Sequence, residues 1–261
     1  MAKNDQALTE AAREIGRVVG GLQAREAEVA WGTRAHRSVI LPALVALLAL
    51  AGCTSIQTAA RRGDREAVER QLTRGVNVNS HHVWTSQTPL IEAAAHGHRE
   101  IVQLLIERGA DVNMKGEAWY GPLHVASAGG HVEIVALLLD HGADVSLFHH
   151  DKPLHYAARN GHVRIAELLL ARGADVNARG IDEFTPLGSA VGHRQREMAA
   201  YLLSQGADVN AQANYGRTAL FTCYAHDDVE TGRLLLEHGA DVTLACNGRK
   251  IPPSFLERLR R

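Results

Sequence analysis

The sequence predicts an all-α solenoid of stacked helix pairs, and three observations carry that expectation. A proline-centred tripeptide recurs as Thr88-Pro89-Leu90, Gly121-Pro122-Leu123, Lys152-Pro153-Leu154 and Thr185-Pro186-Leu187. Thr218-Ala219-Leu220 and Ile251-Pro252-Pro253 continue the register, at steps of 33, 31, 33, 33 and 33 residues. A second marker, Gly-Ala-Asp-Val, starts at Gly109, Gly142, Gly173, Gly206 and Gly239, with a weaker form at Gly75, at steps of 34, 33, 31, 33 and 33. Between the markers an alanine-rich segment is followed by an aliphatic one. Two markers sharing one period define an array in which each unit buries its apolar face against its neighbours.

Each element of the unit has a physical reading. Thr before Pro is an N-cap followed by proline at the first helical position, where no N–H bond is lost. Glu92-Ala93-Ala94-Ala95, Val125-Ala126-Ser127-Ala128 and Tyr156-Ala157-Ala158 make a short first helix whose small side chains let backbones approach. Gly97, Gly130 and Gly161, each followed by His, break it. The second helix carries an apolar stripe, Ile101, Val102, Leu104 and Leu105 in one unit and Ile134, Val135, Leu137 and Leu138 in the next. Gly109 and its equivalents end it with a left-handed residue, and Asp-Val-Asn opens a polar turn. Leu104, Leu137, Leu168 and Leu202 are expected to share one interior.

These residues resemble the ankyrin repeat, whose T-P-L-H-x-A motif is matched most closely by Lys152-Pro153-Leu154-His155-Tyr156-Ala157-Ala158. The resemblance covers residues 56–261. Five full repeats run 80–113, 114–146, 147–177, 178–210 and 211–243, between partial caps at 56–79 and 244–261. It implies helix-turn-helix units with β-hairpin finger loops, and His124 and His155 bridging neighbouring loops. Three departures stand out. Unit 147–177 is two residues short, which predicts a clipped finger. Arg194 and Asp227 replace the inter-helix glycine, which predicts looser turns, and Thr231-Gly232 replaces an aliphatic pair.

Ahead of the array, residues 1–28 are polar and read as an over-annotated or disordered start. Residues 39–52 are 14 apolar or small residues without charge, short of the about 20 that span a bilayer. Arg34, His36 and Arg37 precede them and Leu50-Ala51-Gly52-Cys53 ends them. That ending resembles the lipobox of bacterial lipoproteins. The resemblance implies a signal peptide at 29–52, lipid attachment at Cys53 and a short tether at 53–55. Thr54, not Asp, follows the cysteine, which by the same resemblance implies the outer membrane, facing the periplasm. The other reading makes 39–52 a non-cleaved anchor or core helix of a cytosolic or host-delivered protein.

Composition narrows the function classes. A net charge of −1 excludes a global basic field for nucleic acid. The chain has no G-x-S-x-G, no H-E-x-x-H and no phosphate-cradling glycine loop, so no catalytic residue is assigned. Most of the 15 histidines fall on repeat positions: His98, His131 and His162 after the glycine, His141 and His238 at the end of the second helix. The pairs His81-His82 and His149-His150 point apart and make poor chelates, so neither a metal nor any other cofactor is expected; a metal-dependent enzyme using these finger-loop histidines is the lesser alternative reading. Cys223 aligns with Ala93 as a buried small residue, Cys246 lies in the last finger, and no disulfide between them is expected.

What remains is a non-enzymatic, monomeric module binding an unknown protein partner. By resemblance, the binding face lies on the finger loops and the exposed side of each first helix. It carries Trp84, Thr85, Gln87 and His96, then Glu117, Trp119 and Tyr120, then His149, Arg159 and Asn160. Ile181, Phe184 and His193 follow, then Tyr215, Arg217 and His226. Trp84, Trp119, Tyr120, Phe184 and Tyr215 are five of only twelve aromatic residues, placed where no core requires them. They serve as partner anchors or as braces between adjacent fingers, and the sequence leaves both open.

Overall fold

The computed structural model describes residues 55–82, 86–116, 120–147, 151–244 and 246–261. Thirteen α-helices lie among the described residues. The inner helices are α1 (Ile56–Arg62), α3 (Pro89–Ala95), α5 (Pro122–Gly129), α7 (Pro153–Arg159), α9 (Pro186–Gly192) and α11 (Ala219–His226). Each pairs with an outer helix: α2 (Arg65–Thr73), α4 (Arg99–Glu107), α6 (Val132–Asp140), α8 (Val163–Ala171), α10 (Arg196–Ser204) and α12 (Val229–Glu237). α13 (Pro253–Arg260) packs on α12 and closes the stack. The segment 56–79, expected as part of a unit, already holds a complete helix pair.

Inner helices start in two ways. Where threonine is the N-cap, its hydroxyl accepts an N–H: from Ile91 at Thr88 (3.3 Å), Gly188 at Thr185 (3.2 Å) and Phe221 at Thr218 (3.1 Å). Gly121 and Lys152 replace threonine in units that carry histidine at the third helical position. There the imidazole reaches back, and Nδ1 accepts the N-cap N–H, from Gly121 to His124 (3.4 Å) and from Lys152 to His155 (3.0 Å). Either device satisfies one donor that a helix start leaves open.

The core is a set of parallel ladders. Leu105, Leu138, Leu169, Leu202 and Leu235 are all 0 % exposed, and Ala93, Ala126, Ala157, Ala190 and Cys223 form a matching inner ladder. The spine expected from Leu104, Leu137, Leu168 and Leu202 is one residue out of register. Leu202 belongs to the Leu105 series, while Leu137 and Leu168 pack partly buried at its rim beside Tyr201 and Leu234. Val102, Val135, Ala166, Ala199 and Gly232 shrink along a third ladder. Shrinkage to glycine makes a notch for the closing helix: a Cβ on Gly232 would lie 2.8 Å from Leu259 Cδ2 of α13.

The Gly-His turns lock consecutive units together. His98 Nε2 donates to Arg61 O (3.0 Å), His131 Nε2 to Ala95 O (3.3 Å) and His162 Nε2 to Ala128 O (3.2 Å). Each ring lies against the glycine of the preceding unit, where a Cβ would meet it at 2.8 Å (Gly63), 2.7 Å (Gly97) and 2.8 Å (Gly130). Arg194 and Asp227 do not loosen their turns; both keep the left-handed backbone, at φ 58° and 56°. Side chains fit after α9 because the next unit places the short Asp228 where others place histidine, and Asp228 caps α12 by accepting from Thr231 N (3.1 Å).

Asp-Val-Asn is an inter-unit clip as well as a turn. Asn113 Nδ2 donates to Gly142 O (3.1 Å) while its Oδ1 accepts from Asp144 N (2.9 Å). Asn79, Asn177 and Asn210 repeat the pair of bonds to the Gly-Ala-Asp-Val markers starting at Gly109, Gly206 and Gly239. Ser146 breaks the series: its hydroxyl turns back to Asp144 Oδ1 at 2.7 Å. Ser146→Asn therefore adds two inter-unit bonds and stabilises the array by about 1 kcal/mol, read as a higher urea midpoint; an unchanged or lower midpoint refutes the clip.

The fingers are minimal hairpins without a strand ladder. A backbone bond crosses the base of each, from Gly116 N to Tyr120 O (2.9 Å), Gly180 N to Phe184 O (2.9 Å) and Ala213 N to Arg217 O (2.8 Å). In the last, Cys246 and Arg249 exchange two bonds with each other (both 2.9 Å). Its tip is Asn247-Gly248, at φ 50° and 73°, the residue pair that a two-residue hairpin turn favours. Asp182-Glu183 (54°, 61°) and Tyr215-Gly216 (63°, 74°) adopt the same left-handed pair with less suitable residues.

Candidate protein-interaction surface

Inner helices and fingers together make one face. Of the expected partner-contact residues, Trp84, Thr85, Glu117, Trp119 and His149 lie outside the described residues, as does Cys53 with the whole of 1–54. The others fall into three groups.

The first group ends inner helices. His96 Nδ1 donates to Glu92 O (3.0 Å) and His193 Nδ1 to Ser189 O (3.0 Å). Asn160 Nδ2 donates to Tyr156 O (3.1 Å) and to Ala128 O of the previous unit (3.2 Å). His226 closes α11, and its carbonyl accepts from Arg194 Nη2 (2.9 Å). His96, His193 and His226 are exposed, so their outer ring edges stay open to a partner. His141 and His238 make the same i−4 bond on outer helices, each at 2.9 Å.

The second group braces. The Arg217 guanidinium lies 5.6 Å from the Phe184 ring centroid, joining successive fingers by a cation–π contact. Tyr120 packs edge-on against Tyr156 of the next unit, ring centroids 5.6 Å apart. Gln87 sits at the base of the first described finger, its carbonyl accepting from His82 N (2.8 Å).

The third group is the finger tips. Tyr215 is 77 % exposed and Ile181 48 %, and they are the exposed large hydrophobic residues of the described chain. Tyr215 also holds φ 63°, a strained backbone for a bulky side chain. Its carbonyl accepts from Asn247 N of the last finger (2.7 Å), which pins the tip.

A polar cluster that sequence reasoning missed underlies the middle of this face. Asp151, at the base of the clipped unit, is 3 % exposed. Its Oδ2 accepts from Arg159 Nη2 (2.9 Å) and its Oδ1 from Ile181 N of the next finger (2.8 Å). Gly180 is glycine because a Cβ there would meet Asp151 Oδ1 at 2.2 Å. His155 Nε2 donates to Phe184 O (3.0 Å) while Nδ1 accepts, so the ring is neutral and its tautomer is set by geometry. Burial drives the His155 imidazole below its ordinary range, and burial with the nearby Lys152 charge lowers His124 to about 4. The signal in the sequence was the two-residue deletion, which brings Asp151 next to Lys152-Pro153.

Neither thiol has the setting of a nucleophile. Cys223 and Cys246 are free and buried, and burial pushes the Cys223 thiol up to about 12. Among the described residues no three His, Cys, Asp or Glu side chains converge on a metal position, and no helix is long and apolar enough to cross a membrane.

Stacked helix pairs with hairpin tips and one decorated face define a solenoid recognition module. The family model for ankyrin repeats matches three times, at residues 40–116, 117–180 and 178–246, and the chain belongs to the ankyrin repeat family. Its structure is similar to the crystal structure of the human ASB11 ankyrin repeat domain, with a TM-score of 0.72 and 28 % identity over 78 % of this chain and 97 % of that one. No curated protein matches. Ankyrin repeat domains are protein-interaction modules, and that general role holds for this chain.

Proposed function

We propose that this chain is a non-enzymatic binding array that holds a protein partner through its finger tips and inner helices. The observation that carries this is Tyr215, an aromatic ring 77 % exposed on a strained, left-handed tip. Strain of this kind costs about 1 kcal/mol or more and persists where a function selects the side chain. Tyr215→Asn installs the favoured Asn-Gly tip, so it raises the free energy of unfolding by about 1 kcal/mol while weakening capture of the partner from cell-envelope extracts. The Trp84→Ala/Trp119→Ala/Tyr120→Ala variant tests the other fingers. Partners retained unchanged by both variants would remove this face from consideration.

The array is tethered in a bacterial envelope by lipid on Cys53 after removal of 29–52, in the outer membrane and facing the periplasm. Leu50-Ala51-Gly52-Cys53 at the end of an uncharged apolar run supports this. Two or three acyl chains anchor stably where one does not. A second reading has its own support: the first family match begins at residue 40, inside that run, as a retained helix of a cytosolic or host-delivered protein would have it. Palmitate labelling with and without globomycin separates the two; absence of label sinks the lipid tether.

A further inference from the structure

We infer that the inner face takes an acidic segment of the partner protein, with a carboxylate seated on Arg159; this rests on the protein-binding role proposed above. The two layers of the array differ in charge. Inner helices α1 to α11 carry Arg61, Arg62 and Arg159 against a single carboxylate, Glu92, which lies 3.9 Å from His96. Outer helices α2 to α12 carry ten carboxylates and six arginines. A chain of net charge −1 thus keeps its inner helices nearly free of carboxylate, while the finger at 178–184 carries exposed Asp182 and Glu183.

Arg159 stands at the middle of that face and is already immobilised. One arm donates to buried Asp151 (2.9 Å), and the guanidinium lies 5.4 Å from the Tyr156 ring centroid. The carboxylate of the pair is 3 % exposed and the arginine 38 %, so the outward end is positive. Nη1 makes no bond among the described residues and remains available to a carboxylate. An arginine fixed this way loses little entropy on binding, and its planar fork suits a carboxylate better than an ammonium does. Its counterparts in the neighbouring units are Ala128 and Gly192. A Cβ on Gly192 would meet nothing within 4 Å, so the floor beside Arg159 is open.

The test uses the full chain and fluorescent poly(Glu,Tyr), with poly(Lys,Tyr) and poly(U) as comparators, by anisotropy at 150 mM salt. The expected result is tight binding of poly(Glu,Tyr) alone among the three. Arg159→Lys keeps the charge and loses the fork, and weakens binding about tenfold. Gly192→Glu weakens and Gly192→Lys strengthens it several-fold, at a site where either side chain fits without disturbing the Asp151–Arg159 pair. Failure of poly(Glu,Tyr) to bind, equal binding of poly(U), or indifference to Arg159→Lys and to the sign at residue 192 would each overturn the inference. None of these touches the finger-tip reading, whose test is partner capture by the Tyr215 variant.

Discussion

Gly97→Ala will destabilise the array by about 2–3 kcal/mol, well beyond the about 1 kcal/mol that a left-handed backbone imposes on alanine. At Gly97 φ is 76° and the new Cβ would lie 2.7 Å from His131 Cε1. The imidazole must move, and with it goes the Nε2 bond to Ala95 O, worth about 1 kcal/mol. Gly109 is the control: φ is 84° and nothing lies within 4 Å, so Gly109→Ala carries the backbone term alone. Urea melts of Gly97→Ala, His131→Ala and the double variant should be non-additive by about 1 kcal/mol. Equal effects at Gly97 and Gly109 would show that the ring does not set the requirement for glycine. The chain contains its own precedent, since Arg194 and Asp227 hold left-handed turns where no histidine follows in the next unit.

Acid will weaken the array earlier than its carboxylates can explain. His124 is buried and neutral with its pKa lowered from 6.5 to about 4, and His155 is lowered too. The unfolded chain takes up protons on both rings as pH falls through 6.5, while the folded chain does not. Stability is therefore complete above that point and declines as pH drops, until the folded rings titrate. For His124 the span amounts to about 3 kcal/mol. Around these rings lie Lys152, Arg159 and the Asp151 carboxylate, and Asp151 favours protonation of both. Urea midpoints at pH 7.5, 6.0 and 5.0 should fall in step, and a midpoint constant over that range would show that the rings do not couple to folding. His124→Gln should flatten the profile.

Local chemistry accounts for what could be read in advance. Thr88, Thr185 and Thr218 cap helices, and Gly63, Gly97, Gly130 and Gly161 end them, because those preferences are settled within four residues. The Leu202 misalignment has the same root. Tyr201 occupies the position in step with Leu104, Leu137 and Leu168, and the stripe of a helix offers neighbouring apolar residues of similar promise, of which only packing chooses one. The fate of the expected contact residues was less legible. Asn160, Phe184 and Arg217 are polar or aromatic residues at exposed sequence positions, yet each is committed to a neighbouring unit or finger.

The period, the helix pairs, the family and the candidate face of this protein follow from its amino acids alone, since each depends on spacing and on short-range backbone preference. Three-dimensional stacking assigned the partners: Asn113 to Gly142, His131 to Gly97, Asp151 to Arg159 and Ile181, and Tyr215 to open solvent. Bonds between units join residues about thirty positions apart, and geometry at that range is set by how one pair of helices lies on the next.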